Sequence, residues 1–231
     1  MAGDQSVSYE FIEYPDRDML AIDLANQLSD DLEEALRHDT RAALAVPGGT
    51  SPGPVFDSLC GSDIDWSRVD ILLSDERWLP EDHERSNTRL LRQRLLVNRA
   101  AEARILPMYA PKSEPEEALA ELESLILPEL PLAVLLLGMG EDMHTASIFP
   151  GADKLDEALS PKAPVLVPMR APGAPEPRIT ISARVLDGAL RKHVLIFGGA
   201  KRDALEKAKG LPATQAPINA VLNGAKVHWA E

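Results

Sequence analysis

One cysteine in 231 residues, Cys60, leaves this chain without an internal disulfide, and a secreted protein rarely keeps a lone thiol. No export is expected, since the opening "MAGDQSVSYE" has no basic segment followed by an apolar one. The longest apolar run, around "LAVLLLGM", falls well short of the ~20 residues a membrane-spanning helix needs. These absences predict a cytoplasmic protein. Positive charge is in deficit, with 24 Lys and Arg against 37 Asp and Glu and a net charge of -13. Nucleic acid and anionic membrane both require a broad basic surface, so neither is expected as a partner. Small anions remain compatible, because a few cations and N–H groups inside a cleft outweigh distant, salt-screened carboxylates. Metal-ligand spacing is lacking as well. His38, His83, His144, His193 and His228 are scattered without i, i+4 pairing, and no metal site is expected. No internal repeat of fixed period is visible.

What is present is an apolar content of 45%, enough for one large α/β domain spanning residues 1–231. Leu20, Leu24, Leu28, Leu32 and Leu36 recur every four residues within 16–38, the mark of one helix face. A strand is expected over 41–46, followed by the glycines of "VPGGTSP" and a helix that Thr50 or Ser51 caps, with Pro52 at its first position. The grammar repeats: "VDILLSDERWLP" reads as a strand ending in acids, "SNTRLLRQRLL" and "PEEALAELESLI" as helices, and "LAVLLLG" as the next strand. "APVLVPM", "RITIS" and "HVLIFGG" read as further strands, with helices over 183–190, 201–209 and 218–222. Alternation of this kind predicts a mostly parallel sheet covered on both faces. The Pro-rich "MRAPGAPEPR" lies between strand signals and reads as a surface loop at the site.

Three strand-end loops carry candidate chemistry, because open α/β sheets bind ligands at the carboxyl ends of their strands. In "PGGTSP", Gly48 and Gly49 let the backbone turn sharply and approach an anion, while Thr50 and Ser51 add hydroxyl donors. The Walker spacing and lysine are absent. In "SDERWLPEDHERSN", Asp75 suits a base or an orienting acceptor, and Arg77 suits gripping phosphate or a developing oxyanion. The duller alternative is a surface ion-pair cluster, and His83 reads as a solvated loop residue. In "LLLGMGEDMHTASIFPG", Met143 replaces the third glycine of the dinucleotide fingerprint, so a nicotinamide cofactor is not expected. His144 titrates near neutrality and suits water activation; a structural histidine is the competing reading.

The blocks "VPGGTSP", "SDERWLP" with "SN" beyond it, "LLGMGEDMHTASIFPG", "PRITIS" and "FGGAKR" occur in this order over nearly the whole chain. In them the sequence resembles the 6-phosphogluconolactonase family, which belongs with the sugar-phosphate isomerases of the glucosamine-6-phosphate deaminase type. The resemblance implies a Rossmann-like three-layer α/β/α sandwich and cofactor-free hydrolysis of 6-phospho-D-glucono-1,5-lactone to 6-phosphogluconate, a step of the oxidative pentose phosphate pathway. It implies a phosphosugar lactone as the small-molecule partner, in a monomer or weak homo-oligomer. By position, His144 matches the family's water-activating histidine. Gly48, Gly49, Thr50 and Ser51 match its phosphate turn, and Arg178 and Lys201 match cations near the phosphate. Arg77 matches an active-site arginine, and Asp75 the catalytic aspartate of the related deaminases.

One departure stands out: the family usually reads "GEDGHTAS", and this chain has Met143 at that glycine. If that turn is left-handed, methionine is strained there, and its side chain is expected to overhang the substrate. Two other readings are open. An amino-sugar-phosphate deaminase or isomerase has a related motif, "DGHIAFNEP", whose glutamate falls where this chain has Phe149. A non-catalytic sugar-phosphate sensor would keep the phosphate loop but need neither His144 nor Asp75.

Overall fold

The computed structural model describes residues 8–231, so the leader reading of the first residues lies for the most part outside it. In chain order the elements are β1 (Glu10–Glu13), α1 (Arg17–His38), β2 (Ala42–Val46), α2 (Gly53–Leu59), β3 (Val69–Leu73), β4 (Asp75–Arg77), α3 (Asn87–Arg94), β5 (Arg104–Ile105) and α4 (Leu119–Ile126). There follow β6 (Val134–Gly138), α5 (Leu155–Leu159), β7 (Leu166–Met169), β8 (Arg178–Ile181), α6 (Ala183–Asp187), β9 (Arg191–Phe197), α7 (Gly199–Ala208) and β10 (Lys226–Ala230). Seven strands form one parallel sheet in the order β1-β10-β9-β6-β2-β3-β5. Helices flank it, and β2 and β3 are buried along their whole length, as expected for strands covered on both faces.

α1 forms where the leucine spacing predicts. Asp16 caps it, accepting the Met19 N–H at 2.8 Å, and all five leucines are buried against α2, β2, β6 and β10. No helix among the described residues is long and apolar enough to cross a membrane.

Three features depart from the sequence reading. First, α2 begins only at Gly53, with Pro52 in the cap position and no side-chain cap bond. Thr50 and Ser51 do not cap it, because prolines at 52 and 54 remove N–H groups that a capping hydroxyl needs. Second, "VDILLSDERWLP" is two strands. β3 ends at Leu73, and β4 joins a separate antiparallel sheet, β4-β8-β7. The loop 170–177 is the turn of the β7–β8 hairpin in that sheet, and only its last neighbour, Arg178, reaches the cleft described below. Third, the helix expected over 218–222 is a short 3-10 turn, Pro217–Ala220.

Topology sets the location of the site. From β2 the chain moves outward to β3 and β5 on one side, whereas β6 lies on the other side of β2 and leads on to β9 and β10. The strand order therefore reverses between β2 and β6, and a crevice opens at their carboxyl ends. The small sheet closes over this crevice. The Ser74 N–H donates to the Val46 carbonyl at 2.8 Å, and the Ile181 N–H donates to the Ser74 carbonyl at 2.9 Å.

Candidate active site

A cleft of about 330 Å³ lies at that reversal. The residues singled out in the three loops and the two cationic motifs all line it: Gly48, Gly49, Thr50 and Ser51 after β2, Asp75 and Arg77 on β4, His144 after β6, Arg178 on β8 and Lys201 on α7. Residues far apart in sequence thus meet because the ends of four strands and one helix start converge.

His144 is positioned by its own loop. The Gly140 N–H donates to the His144 carbonyl at 3.0 Å, and His144 Nδ1 lies 2.5 Å from Asp142 Oδ1. With Nδ1–H turned to that carboxylate, Nε2 keeps its lone pair. The ring packs against Phe149, tilted by 30° with centroids 4.3 Å apart, and about a third of the side chain is exposed. Gly140 cannot be replaced at low cost: a Cβ built there would overlap the His144 ring and the Asp142 carboxylate.

Asp75 and Glu76 are both buried, so the surface ion-pair alternative for "DER" does not describe them. Asp75 Oδ1 accepts the Ser74 hydroxyl at 3.1 Å, and Oδ2 accepts the Ser147 hydroxyl at 2.5 Å. Arg178 Nη1 is 3.9 Å from Oδ2. Burial pulls the Arg178 guanidinium below its usual pKa, and Asp75 opposes this. Arg178 also lies over the Phe149 ring at 5.3 Å, and its Nε is buried without a protein partner. Lys201, half-buried, is likewise shifted down by desolvation, with Glu141 opposing. Arg77 Nη1 donates to the Arg85 carbonyl at 2.5 Å, which directs the guanidinium along the cleft wall.

Glu76 serves the scaffold. Its carboxylate accepts the N–H groups of Arg77, Asn87 and Thr88 and the Thr88 hydroxyl, each at 2.8 Å, and lies 3.2 Å from the Ser86 hydroxyl. It thereby holds the start of α3 against β4, while burial pushes its own pKa up. Asn87, absent from the sequence candidates, lines the cleft and donates to the Asp75 carbonyl at 3.1 Å. Its side chain lies so close to Gly48 that a Cβ there would overlap it. The "SN" motif was the available signal for Asn87; nothing local in sequence signals the partnership of Ser147 with Asp75, 72 residues away.

Met143 has φ 66°, the left-handed backbone for which the family glycine is suited. Its side chain is buried in the core cluster and does not line the cleft. The expected overhang is therefore absent: the turn directs the thioether inward, where apolar burial offsets the strain. Ala146, which does line the cleft, is also left-handed at φ 49°. Among the described residues no group of three or more His, Cys, Asp or Glu side chains is disposed to hold a metal ion.

An open parallel sheet flanked by helices, with a cleft at its topological switch lined by a glycine turn and cationic side chains, defines an α/β protein of the kind that binds small ligands at its strand ends. The sequence matches the family described as "Glucosamine-6-phosphate isomerases/6-phosphogluconolactonase" over residues 15–229, and the chain belongs to that family. It is 41% identical to a 6-phosphogluconolactonase of Mesorhizobium japonicum, with 96% of each chain covered. It is 40% identical to one of Pseudomonas aeruginosa, covering 89% of this chain and 88% of that one. The crystal structure of a 6-phosphogluconolactonase from Shewanella baltica superposes with a TM-score of 0.94 at 32% identity, over 97% of this chain and 98% of that one.

Proposed function

We propose that this protein hydrolyses 6-phospho-D-glucono-1,5-lactone to 6-phospho-D-gluconate in the cytoplasm, with His144 activating the water. The observation that carries the reading is the convergence of a base candidate, an arginine for the carbonyl and an anion cradle on one cleft. A lactone is an activated ester, so the reaction needs a positioned water, a base and stabilisation of the carbonyl oxygen as it becomes negative.

In this reading the phosphate rests on the Gly48–Ser51 turn with Arg178 and Lys201, and its binding energy orients the distant ring. His144 Nε2 takes a proton from water as the oxygen attacks the carbonyl carbon. Arg77 stabilises the oxyanion. When the ring C–O bond breaks, the imidazolium returns the proton to the departing ring oxygen. Asp142 supports the positive charge on the ring in between. Phe149 favours hydrolysis over deamination or isomerisation, because where the rival motif has a glutamate this chain supplies an apolar ring beneath His144. The test is an assay of freshly generated lactone with and without the protein, corrected for spontaneous hydrolysis. A rate no greater than the spontaneous one overturns the proposal.

A further inference from the structure

The buried hydroxyl of Ser147 has no part in that reaction scheme, yet it makes a 2.5 Å hydrogen bond at the floor of the cleft. It sits three residues after His144, immediately after the left-handed Ala146. Its backbone N–H donates to Thr180 Oγ1 at 3.2 Å, and its side chain donates to Asp75 Oδ2. One residue thus ties the His144 loop to β4 and β8 together. Neighbouring bonds complete the clamp: the Thr145 hydroxyl donates to the Gly138 carbonyl at 2.8 Å, and the Ile148 N–H to the Thr145 carbonyl at 2.9 Å. A residue such as Ala146 persists in a left-handed conformation only where its surroundings over-determine it.

Asp75 is engaged on both oxygens by serine hydroxyls. An acceptor already holding two donors is a poorer base but a well-fixed negative charge. That charge faces Arg178, whose guanidinium is desolvated and whose Nε has no protein partner. We propose that Ser147 is a positioning residue which, through Asp75, fixes Arg178 for the anionic group of the substrate while holding the His144 loop on the same frame. Asp75 is then the orienting acceptor of the site, not its base. The inference rests on the lactonase reading for its kinetic consequence and on the cleft alone for its anion-binding consequence.

The experiment is a double-mutant cycle with two readouts. Ser147→Ala, Asp75→Ala and the double variant are titrated with inorganic phosphate by calorimetry and assayed on freshly generated lactone, after thermal melts show each to be folded. Asp75→Asn replaces Asp75→Ala if the latter does not fold. Loss of one charge-assisted contact in the relay is expected to weaken phosphate binding about tenfold in Ser147→Ala and to lower kcat/KM by a similar factor. In the Asp75 background the same Ser147 substitution is expected to cost less than about twofold, because its route to Arg178 is already cut. Equal losses in both backgrounds would make Ser147 an independent structural residue and overturn the relay, as would unchanged phosphate binding in Ser147→Ala or none in the wild type. A wild-type protein that binds phosphate, shows the coupled loss and leaves lactone untouched would defeat the lactonase reading and leave the relay standing.

Discussion

At the scale of single residues, the glycines of the site were legible as glycines but not as to what they make room for. The need at Gly140 comes from the His144 ring folded back over it, a contact that no local pattern announces. His144→Ala is expected to lower kcat about 10²–10⁴-fold, the usual cost of losing a general base, with the melting temperature little changed because the side chain is partly exposed at a loop. A folded variant with near-normal kcat would remove His144 from the chemistry. Gly140→Ala tests its placement: the added methyl must displace the ring, so activity should fall steeply although His144 is still present. Met143 is the opposite case. The family glycine raised a positive φ only as a condition, which the structure meets, whereas the direction of the side chain depends on core packing and was not legible. Met143→Gly is expected to relieve roughly 1 kcal/mol of backbone strain and to forfeit about 1.5–3 kcal/mol of apolar burial. The net result should be a modest loss of stability with KM unchanged. A shift in KM would return Met143 to the substrate's surroundings.

At the scale of elements, α1 was readable because a four-residue leucine repeat is local, whereas β1, β5 and β10 were not. β1 and β5 are short edge strands that exist because a neighbour offers a free edge, β5 with only two residues, and β10 is held between β1 and β9 by pairing with both. β10 also explains two histidines that had no evident purpose in the sequence. Asp31, His193, His228, Tyr14 and Asp23 form a hydrogen-bonded chain, with successive contacts of 2.8, 2.9, 3.0 and 2.6 Å. The Tyr14 hydroxyl donates to Asp23, and Arg191 stands 3.6 Å from the Asp31 carboxyl group at the other end of the chain. Burial, His193 and Lys226 depress His228 to about 3, with Asp23 opposing. The unfolded chain protonates His228 near pH 6.5 and the folded protein does not until about pH 3. The unfolded state therefore binds more protons in that window, and stability is lost as the pH falls through it, by up to about 5 kcal/mol. Urea unfolding at stepped pH should show the decline, with a shallower slope in His228→Gln. Equal slopes in the two proteins would place the acid sensitivity elsewhere.

At the scale of the whole molecule, the net charge of -13 says little about the site, because Arg77, Arg178 and Lys201 gather where the chain crosses between its two sheets. The parallel sheet was visible in the alternation of strand and helix signals. The small antiparallel sheet was not, since β4 contains only "DER" and pairs with a segment about a hundred residues away. That sheet gives the cleft its second wall, so an anion bound there touches both bodies: the Gly48–Ser51 turn and Lys201 belong to the large sheet and its helices, Arg77 and Arg178 to the small one. Such a ligand should stabilise the folded chain as a unit, by about 2.7 kcal/mol at a concentration one hundred times its Kd. Inorganic phosphate is thus expected to raise the melting temperature of the wild type, and less so that of Lys201→Ala or Arg178→Ala, where a charge-assisted bond worth roughly 1.5–3 kcal/mol is gone. Lys201 adds a pH signature. Burial lowers its pKa and a bound anion raises it again, so phosphate binding draws in a proton at alkaline pH, and the thermal protection should fade there sooner than Arg178, always charged, would allow. Protection that stays level across the alkaline range in the wild type, and is equal in Lys201→Ala, would place the phosphate away from Lys201 and leave the glycine turn and Arg178 to hold it.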